Sequence, residues 1–144
     1  MLKFTDLYLQ YKTYIEGNSQ YGAKVVKDYT FTSTHFPIVD FKHENSTDSN
    51  DSTVDRIEYY DNEYFNVTIY AQDDGDISRN VITEELIELT QKFLGRYKNM
   101  KRISCKPIPN LDTTVLRTLI RYQCQYGNVY GNIIRRWKIW IEMN

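Results

Sequence analysis

TTVLRTLIRYQCQYG, residues 113–127, decides the fold of this chain. Its side chains alternate in character, so Leu116, Thr118, Ile120, Tyr122 and Cys124 share one face of a strand. Arg117, Leu119, Arg121 and Gln123 share the other. The first face belongs to a core; the second is a cationic, partly apolar surface. KRISCKPI (101–108) before it and NIIRRWKIWIEM (132–143) after it read as further strands. Upstream, Ile82, Leu86, Leu89, Phe93 and Tyr97 fall at i, i+4, i+7, i+11 and i+15, which predicts an amphipathic helix from about Ser78 to Tyr97 with its polar face in water. Asp73-Asp74-Gly75-Asp76 precedes it. The alternating oxygen ligands and closing glutamate of a calcium loop are absent, so a turn and a helix cap from Asp76 or Ser78 are expected.

Further upstream, Asp55 to Gln72 reads as a long strand or a bent pair, with Val67, Ile69 and Ala71 on one face. ENSTDSNDST (44–53) has no apolar residue and is built of turn formers, which predicts a mobile surface loop containing Asn45, Asp48, Asn50 and Asp51. VVKDYTF (25–31) and FPIVDFKHE (36–44) are rich in β-branched and aromatic residues and read as two strands. At the start, Leu7, Tyr8, Tyr11, Tyr14 and Ile15 have helical spacing, with Thr5 as a cap and Gly17 as a stop. This order implies an α+β class, a mostly antiparallel sheet with two helices packed on one side.

The 144 residues suit a single domain, 1–144, and no run of about 18 apolar residues offers a membrane span. No charged-then-apolar leader opens the chain, so an intracellular protein is expected. Thirteen tyrosines suit half-buried strands and subunit contacts more than a dry core. Cys105 and Cys124 sit in apolar or β-branched stretches and are expected to be buried free thiols. His35 and His43 have no spacing that completes a metal site, and no nucleophile, phosphate-loop or dinucleotide motif occurs, so neither enzyme chemistry nor a cofactor is expected. The sequons at Asn45, Asn50 and Asn66 would matter only in a secreted protein.

A formal net charge of -1 argues against a uniformly basic, nucleic-acid-binding surface. That total conceals a split. Met1 to Gly95 holds 17 acidic and 8 basic residues, whereas Arg96 to Asn144 holds 2 acidic and 10 basic. Strand periodicity puts Arg102 and Lys106 on one face, Arg117 and Arg121 on one face, and Arg135, Arg136 and Lys138 on the last strand. Either the two halves neutralise each other within one sheet, or a basic surface of one subunit meets an acidic one on its neighbour.

NVTIYAQDD, the Ser78-Arg79 helix start, the Gly95-Arg96-Tyr97 helix end, and Asp112 leading into VLRTLIRYQCQYG resemble the tail terminator family of long-tailed bacteriophages. The resemblance spans roughly Phe36 to Gly127 and is closest at Ile69-Tyr70-Ala71, Ser78-Arg79 and Arg117 with Arg121-Tyr122. Gly95-Arg96-Tyr97 departs from the usual Gly-Phe ending, and Tyr130 to Asn144 extends beyond the matched part. The resemblance implies a structural protein of the virion, made in the host cytoplasm. Such a protein forms a homohexameric ring on the head-proximal end of the tail tube, stops tube growth and joins the tail to a head-completion or neck protein. Its implied partners are its own copies, the tube protein, the neck protein, a tail sheath where one exists, and DNA passing through the lumen without specific binding. The basic residues named above would form the subunit or partner interface, and the 44–53 loop would dock. Two alternatives stand beside this: another neck or head-completion protein, or a small nucleic-acid-binding module using Arg117, Arg121 and Arg136 with Tyr122 or Trp140 for stacking.

Overall fold

A computed structural model describes residues 4–29, 35–48, 58–97 and 100–129, with the backbone alone at 45–48, 58–62 and 125–129. The elements are α1 (Phe4–Asn18), β1 (Lys24–Val26), β2 (Ile38–Asp48), β3 (Glu58–Gln72), α2 (Arg79–Leu94), β4 (Met100–Ile108) and β5 (Val115–Val129). The strands form one sheet in the order β1-β2-β3-β5-β4. β1 pairs with β2 in parallel, and all other pairs are antiparallel. The α+β class read from the sequence is the one observed.

The centre of the sheet is the ladder between β3 and β5, unbroken from Glu58↔Val129 to Gln72↔Val115. Period-two alternation sends Phe65, Val67, Ile69 and Ala71 of β3, and Ile120, Tyr122 and Cys124 of β5, to the helix-covered face. Val39 and Phe41 of β2 join them, and Leu7, Tyr11 and Ile15 of α1 with Ile82, Leu86, Phe93 and Leu94 of α2 close the core. Ser78 caps α2, its side chain accepting from the Asn80 N–H at 3.1 Å, and Asp73 Oδ1 accepts from the Arg79 N–H at 2.8 Å. Both satisfy donors that a helix start leaves orphaned. Gly75 takes φ +59° in the preceding turn, and a Cβ on Gly95 would lie 2.6 Å from the Gln91 carbonyl oxygen.

Tyrosine is used differently from the sequence reading. Tyr8, Tyr11, Tyr70, Tyr97 and Tyr122 are all buried. Their polar tips are satisfied locally: the Tyr11 hydroxyl bonds to Thr90 Oγ1 at 2.8 Å, Tyr122 donates to Gln91 Oε1 at 2.8 Å, and Tyr8 donates to the Val25 carbonyl at 3.2 Å. A buried phenol with a partner adds packing area without an unmet polar group.

Three further expectations are corrected. Strand pairing in VVKDYTF covers only Val25 and Val26, because the Tyr29 N–H donates to Asp40 Oδ2 at 3.2 Å and the carboxylate takes the place of a ladder partner; residues 30–31 lie outside the described residues. The polar stretch from Glu44 is not loop from its start: β2 continues through Asp48, including Asn45 and Asp48, because β3 supplies backbone partners and a ladder does not require apolar side chains. A bulge falls between Glu44 and Thr47. Cys105 is exposed, being on the edge strand β4, while Cys124 is buried as expected. Residues 49–53, with Asn50 and Asp51, and the strand expected at 132–143 lie outside the described residues.

The two thiols differ accordingly. Burial, reinforced by nearby Glu63, pushes the Cys124 thiol up to about 12. A maleimide added to the native protein is expected to modify Cys105 alone, with Cys124 reacting only after denaturation; two fast thiols under native conditions would contradict this placement.

Candidate functional site

The sheet face away from the helices carries three of the basic residues that the sequence singled out, Lys106, Arg117 and Arg121. Arg121 on β5 lies between two neighbours: its guanidinium donates to Glu44 Oε2 at 2.8 Å and stands 4.4 Å over the Tyr64 ring. The second Glu44 oxygen accepts from Asn66 Nδ2 at 2.5 Å, so one row across β2, β3 and β5 is bonded together. Arg117, four residues earlier on the same face, stands 5.6 Å over the Tyr70 ring and reaches the Pro109 carbonyl at 3.5 Å. The guanidiniums of β5 are therefore held inside the subunit. The Arg121–Glu44 pair is half-exposed and is worth on the order of 1 kcal/mol or less; its effect is to fix side chains rather than to stabilise the fold.

Arg102 and Lys106 do not share a face. β4 slips register between Arg102 and Ser104, so Arg102 pairs with Tyr122 on the helix side while Lys106 pairs with Leu119 on the open side. Lys101, opposite Gln123, also lies on the open side. Period-two counting cannot register a bulge, which adds a residue without adding a turn signal. The consequence is an edge strand whose exposed cations point both ways. Lys101, Arg102 and Lys106 are all exposed, and no strand among the described residues pairs with the outer edge of β4. Together β4 and β5 hold five basic residues and no acidic one.

Exposed acids gather elsewhere. Asp73, Asp74 and Asp76 form the turn before α2, and Glu84 and Glu88 stand on the outer face of that helix. Lys92 answers Glu88 at 3.2 Å, one turn on. The described residues thus carry exposed cations on the edge strand β4 and exposed acids on the turn before α2 and the outer face of that helix. Asn45 and Asp48 are placed on β2 by their backbone. Asn50, Asp51, Arg135, Arg136 and Lys138 lie outside the described residues.

Two buried carboxylates went unread in the sequence because each is a single polar letter in a strand. Glu63 is buried beside Cys124 and lies 3.6 Å from His43 Nε2. Asp40 is buried on the open face, with Lys42 at 3.7 Å and Oδ1 without a hydrogen-bond partner. Burial holds the Asp40 carboxyl above its ordinary range against the Tyr29 N–H and Lys42, which pull it down. Because the folded state binds the proton more tightly than the unfolded state, the ionisation penalty is absent at low pH and present above the raised folded pKa. Asp40→Asn, which keeps an acceptor for Tyr29, is expected to raise the melting temperature at about pH 7 and to leave it unchanged near pH 3. Equal shifts at both pH values would contradict this.

At one end of the open face lies a cleft of 710 Å³ lined by Tyr29, Phe36, Tyr70, Gln72, Val115, Arg117 and the 109–112 turn. Ile38, Tyr70 and Val115 form its apolar floor with Val26, Tyr29 and Phe36 packed against them. Leu111 stands at its rim fully exposed. Among the described residues no group of three or more His, Cys, Asp or Glu is placed to hold a metal ion, and no helix is long and apolar enough to cross a membrane. Compared with models of known protein families and with curated proteins, the chain matches none.

Proposed function

We propose that this chain is a non-enzymatic assembly protein of a tailed bacteriophage. In this reading it closes into a six-fold ring on the head-proximal end of the tail tube, stops tube polymerisation and offers a surface to the neck. The observation that carries the proposal is a pair of exposed patches of opposite sign, the cations of the unpaired edge strand β4 and the acids of the turn and outer face of α2. A ring that closes by rotation uses heterologous contacts, in which two different patches of the same subunit meet. The cationic edge strand β4 and the acidic turn-and-helix face are such a pair, and unlike potentials accelerate encounter and exclude wrong registers. The order of elements resembling the tail terminators supplies the identity of the ring. Its partners are other copies of the chain, the tube protein, a head-completion or neck protein and, in contractile tails, the sheath; DNA passes through the lumen.

The nucleic-acid-binding alternative relies on Arg117, Arg121 and Arg136 with Tyr122 or Trp140 for stacking; the guanidiniums of Arg117 and Arg121 are already engaged by groups of their own subunit, Tyr122 is buried, and Arg136 and Trp140 lie outside the described residues. Another neck protein of the same virion would use the same surfaces. Adding the purified protein to polymerising tube protein separates the readings. Tail termination requires tubes that stop growing at one end with the protein bound there. Uninhibited growth together with capture of portal-proximal proteins would favour the neck reading instead.

A further inference from the structure

Among the described residues, four large apolar side chains stand in water: Leu9, Val81, Ile103 and Leu111. Single exposed apolar residues are ordinary, and Leu111 belongs to the rim of the cleft. Val81 and Ile103 differ in their surroundings, because each sits inside one of the two charged patches. Ile103, 46% exposed, lies at the register shift of the edge strand, with Lys101 and Arg102 before it and Lys106 after it. While β4 advances from Arg102 to Ser104, its partner steps only from Tyr122 to Arg121, so Ile103 is the extra residue of the bulge and has no partner across the ladder.

Val81, 47% exposed, lies in the first turn of α2. Glu84 and Glu88 follow at i+3 and i+7 on the same exposed stripe, and Asp73, Asp74 and Asp76 precede the helix. Lys92 answers Glu88 at 3.2 Å, and both side chains remain exposed. An exposed valine is a poor choice for a helix, since its branched side chain loses rotamer freedom without the return of full burial. Two apolar centres, flanked by charge of opposite sign, have the anatomy of two halves of one contact, a desolvated core inside a polar rim. Their spacings agree. From Ile103 to Lys106 a strand advances about 10 Å, and from Val81 to Glu88 a helix advances about 10 Å. With Ile103 on Val81 and β4 running along α2, Lys106 meets Glu88 while Lys101 and Arg102 meet the Asp73–Asp76 turn.

We propose that Ile103 of one subunit packs on Val81 of a second copy, at the centre of the contact between the β4 edge and the acidic face of α2. This rests on the heterologous ring contact of the proposed function but not on phage identity. It gives that contact a register: the charges select which faces meet, and the aliphatic pair fixes where.

The test is a double-mutant cycle on the full-length protein, with Val81→Ser, Ile103→Ser and the two combined, and with self-association read by sedimentation velocity at low and at high salt. Both positions are exposed, and serine has a helix propensity close to that of valine, so circular dichroism melting is expected to stay unchanged and any loss belongs to assembly. Each single substitution is expected to weaken association by about tenfold. The loss persists at high salt, because salt screens charges and not apolar burial. The combined variant is expected to lose little more than either single one, since the two side chains form one contact. Losses that simply add would mean that the side chains do not meet, and would overturn the inference. A ring that forms as well with either serine as without it would overturn the inference too, and leave the charged contact standing. A native chain monomeric at every concentration would overturn the ring and this contact together.

Discussion

Phe41→Ala is expected to lower the melting temperature by on the order of 10–20 °C, corresponding to a loss of about 3–5 kcal/mol. Phe41 is fully buried at the point where α1 crosses the sheet, its ring 4.5 Å from that of Tyr11 and within 5.4 to 6.5 Å of those of Phe4, Tyr8 and Phe65. Truncation removes the shared member of these contacts and leaves a cavity between a helix and a sheet, neither of which collapses freely. Against a typical total stability of 5–15 kcal/mol, a loss of that size removes much of the folded state's margin. Leu9→Ala, at an exposed position of the same region, is expected to change stability by no more than about 0.5 kcal/mol. Thermal denaturation followed by circular dichroism compares the two; similar shifts would contradict the core described for α1.

Reversing the cations of the edge strand is expected to have the second large effect, on assembly and not on folding. In Lys101→Glu with Arg102→Glu and Lys106→Glu, an exposed basic edge becomes acidic and meets the Asp73–Asp76 turn and the Glu84–Glu88 face as like charge. Juxtaposed like charges cost several kcal/mol at an interface, so ring formation is expected to weaken by at least about tenfold at low salt. The defect should shrink as salt rises, because exposed charges are screened beyond about 10 Å at 0.1 M. Glu84→Lys with Glu88→Lys in the same chain should restore assembly in part. Arg121→Glu is the informative contrast: it places a carboxylate against Glu44 within the subunit, so its effect belongs in thermal stability. Sedimentation velocity at two salt concentrations reads all three. An edge triple variant that assembles like the native protein would return those cations to ordinary solvated residues.

Legibility in the sequence followed physical lines. The α2 stripe and the β5 alternation were readable because burial imposes a period on residues adjacent in the chain. A cap at Asp76 or Ser78 was readable because capping chemistry is local, and Ser78 is the one that caps α2. The opposing faces of Arg102 and Lys106 were not, since one bulged residue in β4 inverts the parity of everything beyond it. The extension of β2 through the polar residues Glu44 to Asp48 depends on β3 standing alongside. The pairing of Arg121 with Glu44, 77 residues away, and the cleft that brings Tyr29 and Phe36 to Tyr70, Val115 and the 109–112 turn require the tertiary fold. The net charge split was visible in the letters; that β4, with Lys101, Arg102 and Lys106, is an edge strand followed only from the order β1-β2-β3-β5-β4.

The most direct measurement asks whether this chain is present in phage tails, and at what position and stoichiometry, by electron microscopy of purified tails together with light scattering of the purified protein. The proposed function predicts one six-fold ring of this chain at the head-proximal end of each tail tube, between the last tube ring and the neck. A strictly monomeric protein that is absent from that end of the tail would contradict it.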